Sequence, residues 1–442
     1  MAIQKRTSFN LRRLLEATST DAPVLGWALL VGLLAGVVGA SFRFGISHSE
    51  QLVGSLRTLA GNDGVLPLLI SIGSSALLVG AALLLVRRFA PEAAGSGIQE
   101  IEGALDGVRP LLWRRVLAVK FAAGVLSLGA GMVMGREGPT VQMGGALGQM
   151  LRERFGLSED HGRVLIAAGA GAGLTAAFNA PLAGMLFVIE EMRPHFDYNV
   201  ISVQCVVIAC VAADVVARAL LGDAVAFGVG DFPMPPLSAL SAFALFGAAL
   251  GILGWLFNRS ILWMQDLWAR LVPGGKLAAS LAVGGLVGAL AHLQPDLTGG
   301  GYGAILDAMS GRIPEMALLL LFAGRFLMTV LCFSTGVPGG IFAPMVALGT
   351  IFGLWFAGLV PGSFPAAQVE PGVFMIAGAG ALFAATVRAP LTGIVLAAEL
   401  TGNFQLILPV AIACVSSTLV AHALGGRPIY TVLLERQLEA TS

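Results

Sequence analysis

Residues 22–42, 64–86, 164–189, 232–258, 326–369 and 400–426 of this chain contain no Asp, Glu, Lys or Arg. A helix that crosses the hydrocarbon core of a bilayer needs about 20 mostly apolar residues. Several of these runs meet that length, and 326–369 is long enough for two passes. Inside a membrane every backbone polar group must be satisfied by the protein itself, which leaves helices and closed barrels. The alternating pattern of barrel strands is absent, so the chain reads as an all-α polytopic membrane protein. Only 12% of its residues are charged and its mean hydropathy is +0.85. Soluble domains carry about twice that charged fraction. A formal net charge of +0 excludes a global field that recruits nucleic acid or acidic partners.

The chain contains an internal duplication. GAGAGLTAAFNAPLAG at 169–184 matches GAGALFAATVRAPLTG at 378–393 at nine of sixteen positions, 209 residues apart. In the same register Glu190 falls opposite Glu399, and Glu191 opposite Leu400. Upstream, Gly135-Arg136-Glu137-Gly138-Pro139 pairs with Gly340-Ile341-Phe342-Ala343-Pro344, 205 residues on. Two distinct motifs in one order at nearly constant offset predict two repeated transmembrane halves, 23–230 and 231–430. Transporters are often built this way, with the substrate site where broken helices of both halves meet. An odd number of crossings per half would make the repeats inverted. Residues 1–22 mix basic and apolar residues at helical spacing and predict an interfacial helix on the cytoplasmic face. The first apolar run is long enough to remain as a span, with no cleavable signal peptide. Residues 431–442 form a short tail that leaves no room for a regulatory domain. The four cysteines occupy apolar stretches without metal or redox spacing, and read as core.

Proline is favoured in the first turn of a helix, where its missing N–H costs nothing. Pro139 and Pro344 therefore predict helix starts inside apolar surroundings. The backbone just before each, including Gly138, keeps unpaired N–H groups at the positive end of a helix dipole, an arrangement that binds anions. Two such ends facing each other make an anion site without a full positive charge. The alternative is a pair of breaks that only shape packing; their pairing argues against it. Gly95-Ser96-Gly97 offers a hydroxyl between two flexible residues. Tyr430 is one of three tyrosines and lies past the last apolar run, as an interfacial anchor or as a donor to an ion.

Glu137 lies within a helix-start motif. An ionised carboxylate there competes with an anion for the same donors, and protonation removes that attraction. One side chain can then both gate the anion and carry a proton. The plainer reading is a loop glutamate paired with Arg136. Glu190 and Glu191 end an uncharged run, and acids at membrane depth are functional candidates. Neighbouring helix positions point about 100° apart, so only one of them faces a given pathway. Glu190 has a counterpart in the second half, which suggests structure. Glu191 has none, which suggests specialisation.

GSGIQE at 95–100, GREGPTVQ at 135–142, GGIFAP at 339–344 and the late Tyr430 together resemble the CLC family of chloride channels and proton-coupled chloride exchangers. The similarity runs from about residue 25 to the C-terminus. AAFNAPLAGMLFVIEEMRP at 176–194 is similar to the bacterial exchanger branch. The resemblance implies a homodimer with one pathway per subunit, in a bacterial inner membrane, with both termini cytoplasmic. It implies that Ser96 and Tyr430 line a central chloride site with the amides of Ile341 and Phe342, that Glu137 is the external gating glutamate, and that Glu191 is the internal proton-transfer glutamate. Chloride and protons are then the transported ions, and no cofactor is implied. Gln99 stands where the family motif usually has proline, which implies a looser helix start or a shifted selectivity.

A passive chloride channel on the same scaffold is the main alternative, and the two acids argue against it. A membrane metalloprotease would need a cluster such as HExxH, which the chain lacks. A cation carrier fits poorly with sites made of helix N-termini.

Overall fold

The computed structural model describes residues 11–59, 61, 64–192, 199–223, 227–363 and 369–439. Among them the chain is helical, with no strand. The first eight helices are α1 (Leu11–Leu59), α2 (Val65–Phe89), α3 (Ile98–Leu105), α4 (Trp113–Gly129), α5 (Glu137–Phe155), α6 (Glu159–Phe178), α7 (Pro181–Glu191) and α8 (Val200–Leu221). The next eight are α9 (Leu240–Ala269), α10 (Pro273–Leu293), α11 (Tyr302–Met309), α12 (Glu315–Ser334), α13 (Phe342–Ser363), α14 (Pro371–Val387), α15 (Pro390–Thr401) and α16 (Ile407–Ala423). A last helix, α17 (Ile429–Glu439), follows. Eight of the described helices are long and apolar enough to span a bilayer, and the chain is a multi-pass membrane protein.

The second eight elements repeat the first, down to their ends. The short helices α3 and α11 both follow a left-handed glycine, Gly97 (φ 93°) and Gly301 (φ 99°). Helices α6 and α14 both end on a left-handed residue that is not glycine, Asn179 and Arg388. Helix α1 packs on α6 and α8 as α9 packs on α14 and α16. The packing of α5 on α6, and of α13 on α14, depends on the abundant glycines. A Cβ on Gly144 would overlap the carbonyl of Gly169 and the reverse, and Gly349 and Gly378 stand in the same relation. Small residues let membrane helices approach closely where no hydrophobic force draws them together. The result is that α13 is buried over 78% of its apolar window, against 28–50% for the other spans. Helix α5 is buried almost end to end. The remaining spans turn apolar faces outward, as lipid requires.

Residues 11–22 extend α1 as one continuous helix through Pro23; residues 1–10 of the expected interfacial helix lie outside the described residues. Residues 431–439 of the short tail continue α17, whose Tyr430, Leu433 and Leu434 are buried; residues 440–442 lie outside the described residues. The four cysteines are buried core residues.

Glu190 and Glu399 fasten the halves together. Glu190, at the end of α7, accepts from the N–H groups of Leu391 (3.0 Å) and Thr392 (2.7 Å) and from the Thr392 hydroxyl (2.9 Å) at the start of α15. Glu399, near the end of α15, accepts from Leu182 (3.0 Å) and Ala183 (2.7 Å) at the start of α7. Each carboxylate caps the positive end of the partner helix, a favourable placement. The end of each helix meets the beginning of the other, so these equivalent helices run antiparallel, as inverted repeats demand. We expect Glu190→Ala and Glu399→Ala each to lower stability by about 1–3 kcal/mol, because each strands two backbone donors in a low-dielectric surround. Thermal unfolding in detergent reads the effect. Unchanged unfolding in both variants would show that the reciprocal caps contribute nothing.

Candidate anion and proton site

Three glycine-containing loops meet in the middle of the fold. Gly135 and Gly340 form an isolated antiparallel bridge, each N–H donating to the other's carbonyl at 2.7 Å. Gly339 N donates to Gly95 O at 3.1 Å, which joins the first loop to the third. Lys120, fully buried, donates to the carbonyls of Ala93 (3.1 Å) and Gly95 (2.7 Å) and fixes the first loop from behind. The helices launched from these loops are α3, α5 and α13, with Pro139 and Pro344 each the third residue of its helix. Their first-turn N–H groups have no partner within the helix, so the amide-bearing tips converge.

Ser96, Gly138, Ile341, Phe342 and Tyr430 are brought together at these tips. Ser96, Ile341, Phe342 and Tyr430 are completely buried. Gly138 lies against Ser96, with space for no side chain: a Cβ there would come within 2.9 Å of the Ser96 carbonyl oxygen. The Ser96 and Tyr430 hydroxyls face each other, and neither has a hydrogen-bond partner other than the other among the described residues. Two buried, unsatisfied O–H donors beside helix tips fit an anion. The ring of Phe342 packs onto Phe383 (4.3 Å) and Phe178 (5.3 Å). Gln99 is the second residue of α3. Its side-chain oxygen accepts from Gly97 N at 3.2 Å and caps the turn.

Glu137 is buried with its carboxylate on the opposing tip. Oε2 accepts from the Ala343 N–H at 3.3 Å, and Oε1 accepts from the Tyr302 hydroxyl at 3.5 Å. On one side Glu137 borders an open cavity of about 500 Å³ whose wall includes Arg43, Glu50, Arg136 and Tyr302. The plainer reading of a Glu137–Arg136 loop pair is not what forms: Arg136 donates instead to the Ala177 carbonyl (3.2 and 3.1 Å) and to Tyr302.

The adjacent acids Glu190 and Glu191 take separate directions. Glu190 is spent on capping α15. Glu191 points inward, and its carboxyl is within hydrogen-bonding reach of that of Glu102 on α3. Both are buried, Glu102 completely. Both Glu102 oxygens and Oε1 of Glu191 lack any other partner among the described residues. Two neighbouring buried carboxyls disfavour double ionisation and suit the handling of a proton. Glu102 and Tyr302 were not singled out by sequence. Glu102 sits in the motif GSGIQEIEG, three residues past Gln99, where a second acid reads as a solvated helix face. Tyr302 follows Gly299-Gly300-Gly301, the counterpart of Gly95-Ser96-Gly97 at an offset of 204 residues. Extending the repeat register by one more motif places Tyr302 at a helix start but not against Glu137.

Fold and site together define a membrane transport protein with an anion cradle of helix tips, one of them occupied by a carboxylate. The chain matches the voltage gated chloride channel family over residues 75–422, and it belongs to that family, the CLC proteins. It is 49% identical over 427 residues to the H(+)/Cl(-) exchange transporter ClcA of Vibrio parahaemolyticus, covering 95% of this chain and 91% of that protein. It is 46% identical to the ClcA of Klebsiella pneumoniae, covering 99% and 93%. Its fold is similar to the crystal structure of a slow cyanobacterial Cl−/H+ antiporter, with TM-score 0.91 and 42% identity over 94% of this chain and 98% of that one.

Gly138→Ala should force the tips apart. Overpacking of this kind costs about 1–3 kcal/mol, so chloride affinity measured by titration calorimetry in detergent should fall about tenfold. Gly54→Ala, at a position with nothing within 4 Å of an added Cβ, serves as control. Equal affinities in the two variants would remove Gly138 from the site.

Proposed function

We propose that the chain exchanges chloride for protons across the bilayer, with Ser96, Gly138, Ile341, Phe342 and Tyr430 holding the anion. Glu137 is the gate and Glu191 the proton-transfer group on the other side. The observation that carries this reading is the Glu137 carboxylate, bonded to the Ala343 N–H on the facing helix tip. An ionised glutamate occupies the donors an anion needs; a protonated one gives them up. Anion movement and proton movement then alternate at one place.

Glu191 supports exchange over a passive channel, which has no use for a second buried acid. It lies near Tyr430 and Glu102, across the anion tips from the mouth that Glu137 borders. The names of the ClcA relatives agree with exchange. No covalent bond other than the O–H of a transferred proton is made or broken, and the reading needs no cofactor. The halves 23–230 and 231–430 act as the two units whose tips build the pathway.

Orientation follows from charge. Arg87 and Arg88 end α2 beside Pro273, the start of α10; the same face carries Arg114, Arg115, Arg152, Arg154, Arg270 and Lys276. The opposite face has Arg57, which bonds the end of α10, and few other cations. An excess of Lys and Arg marks the cytoplasmic side. The basic face is therefore cytoplasmic, with α17 and both termini on it, and the Glu137 cavity opens outward. The membrane is a bacterial inner membrane, and the functional unit is a homodimer with one pathway in each subunit.

In chloride-loaded liposomes, outward chloride flow should drive protons uphill through the wild-type protein. Glu137→Gln should abolish proton movement and keep chloride flux. Glu191→Gln should abolish proton movement while Glu190→Gln retains it. Continued uphill pumping by Glu137→Gln would overturn the gate, and uncoupling by Glu190→Gln alone would move the inner proton group by one residue.

A further inference from the structure

Tyr302 is the first residue of α11, and its hydroxyl lies 3.5 Å from Oε1 of Glu137. The loop that delivers it is firmly held. Buried Arg325 donates to the carbonyls of Thr298 (3.0 Å) and Gly299 (2.8 Å). Gly301 adopts φ 99°, and an added Cβ there would also press on the Arg325 guanidinium. The Tyr302 ring is stacked on Phe227 at 5.1 Å, and the Arg136 guanidinium sits 5.1 Å from the ring centroid.

The direction of the Tyr302 proton follows from its partners. Arg136 Nη2 donates to the Tyr302 oxygen at 3.4 Å. A guanidinium cannot accept a hydrogen bond, and a phenol has one proton to give. That proton is directed to the remaining neighbour, Oε1 of Glu137. The two oxygens of Glu137 are thus divided between the Ala343 N–H on α13 and the Tyr302 O–H on α11.

Resting on the reading of Glu137 as the gate, we propose that Tyr302 is a positioning residue: oriented by Arg136, its hydroxyl holds the Glu137 carboxylate on the anion tips and opposes its protonation and release. A hydrogen bond to the ionised form favours that form. The bond is long, and bonds to ionised groups shorten and strengthen relative to neutral ones. Other charged or titratable groups facing Glu137 are Arg136 beside it, Arg43 and Glu50 on α1 across the cavity, and Tyr430 on α17. All of them persist when the Tyr302 hydroxyl alone is removed.

The test is the pH profile of chloride flux through the full-length protein in liposomes, for wild type, Tyr302→Phe, Glu137→Gln and the double variant. Phenylalanine keeps the ring that packs on Phe227. A midpoint is independent of how much protein reconstitutes, so partial misfolding cannot imitate a shift. Wild-type flux should rise as pH falls and protons release Glu137. Without the hydroxyl, Glu137 takes its proton more readily. The midpoint of Tyr302→Phe should then move upward by about half to one pH unit, with faster chloride flux at neutral pH. In the Glu137→Gln background the same substitution should leave the profile unchanged, the non-additivity expected of groups in contact. An unshifted Tyr302→Phe midpoint, with Glu137→Gln uncoupled as expected, overturns the positioning role and leaves the gate standing. An equal shift in the Glu137→Gln background also overturns it, because Tyr302 would then act elsewhere. Uphill proton pumping by Glu137→Gln overturns the gate itself, and this proposal with it.

Discussion

Two backbone hydrogen bonds between Gly135 and Gly340 hold the structure's central conflict in place. They press together the starts of α5 and α13, two helix ends that each carry roughly half a positive charge. Such ends repel, and their first-turn N–H groups lie in a water-poor interior where an unmade bond costs about 1–3 kcal/mol. An arrangement of this kind is stable only with negative charge between the tips. The Glu137 carboxylate supplies it here, and an anion can supply it in turn. Gating is therefore a consequence of the tip geometry rather than an addition to it: two acceptors compete for one set of donors. A fixed cation at the same place would bind an anion more tightly and release it poorly, whereas several weak dipoles suit an ion that must leave again.

That geometry is imposed from a distance. The tips can meet only because α5 lies directly on α6 and α13 directly on α14, at glycine pairs where any side chain would strike backbone. The halves are then locked at their outer contact by Glu190 and Glu399. Two acids at membrane depth are thus employed in structure, each on the end of a neighbouring helix. Depth and charge alone do not identify a proton carrier. What separates Glu191 from Glu190, one residue away, is the helical rotation that turns it from a helix start toward Glu102 and Tyr430.

Much of this was legible in the sequence because duplication wrote it twice. The uncharged runs marked most of the spans but not α8 or α10, whose charged residues interrupt them; the two Gly–Pro motifs marked both tips, and the Glu190–Glu399 register set the paired acid apart from its unpaired neighbour. Glu102 and Tyr302 were not legible as functional residues. Glu102 occupies a short helix with a charged neighbour on nearly every turn, and only the packing of α3 against the end of α7 reveals that it is buried. Tyr302 reaches Glu137 across 165 residues of chain through a contact between side chains, for which local pattern carries no signal. The hydrogen bond of Gln99 is hidden for a related reason. Proline fixes a helix start through its ring, while glutamine does so here by folding its side chain back onto Gly97 N, a capping bond that periodicity does not disclose.

The differences between the two copies are where transport acquires a direction. Glu137 is matched by Phe342, Glu191 by Leu400, Glu102 by Leu306 and Ser96 by Gly300, whereas the capping acids and the tip glycines occur in both halves. An inverted pair of identical halves would offer an ion the same environment from either side. In the proposed exchanger the proton-bearing groups all belong to the first half, and the second half presents them with backbone, aromatic rings and two phenols, Tyr302 and Tyr430. Glu137 meets the cavity beside Arg136 and Tyr302, while Glu191 and Glu102 lie near Tyr430. In the proposed exchanger the anion path joins what the copies share, the opposed helix tips, to two hydroxyls they do not share, Ser96 and Tyr430, and the proton path uses acids that only the first half carries. Exchange requires the two paths to coincide only where Glu137 reaches across from one half to the other, at the Ala343 N–H.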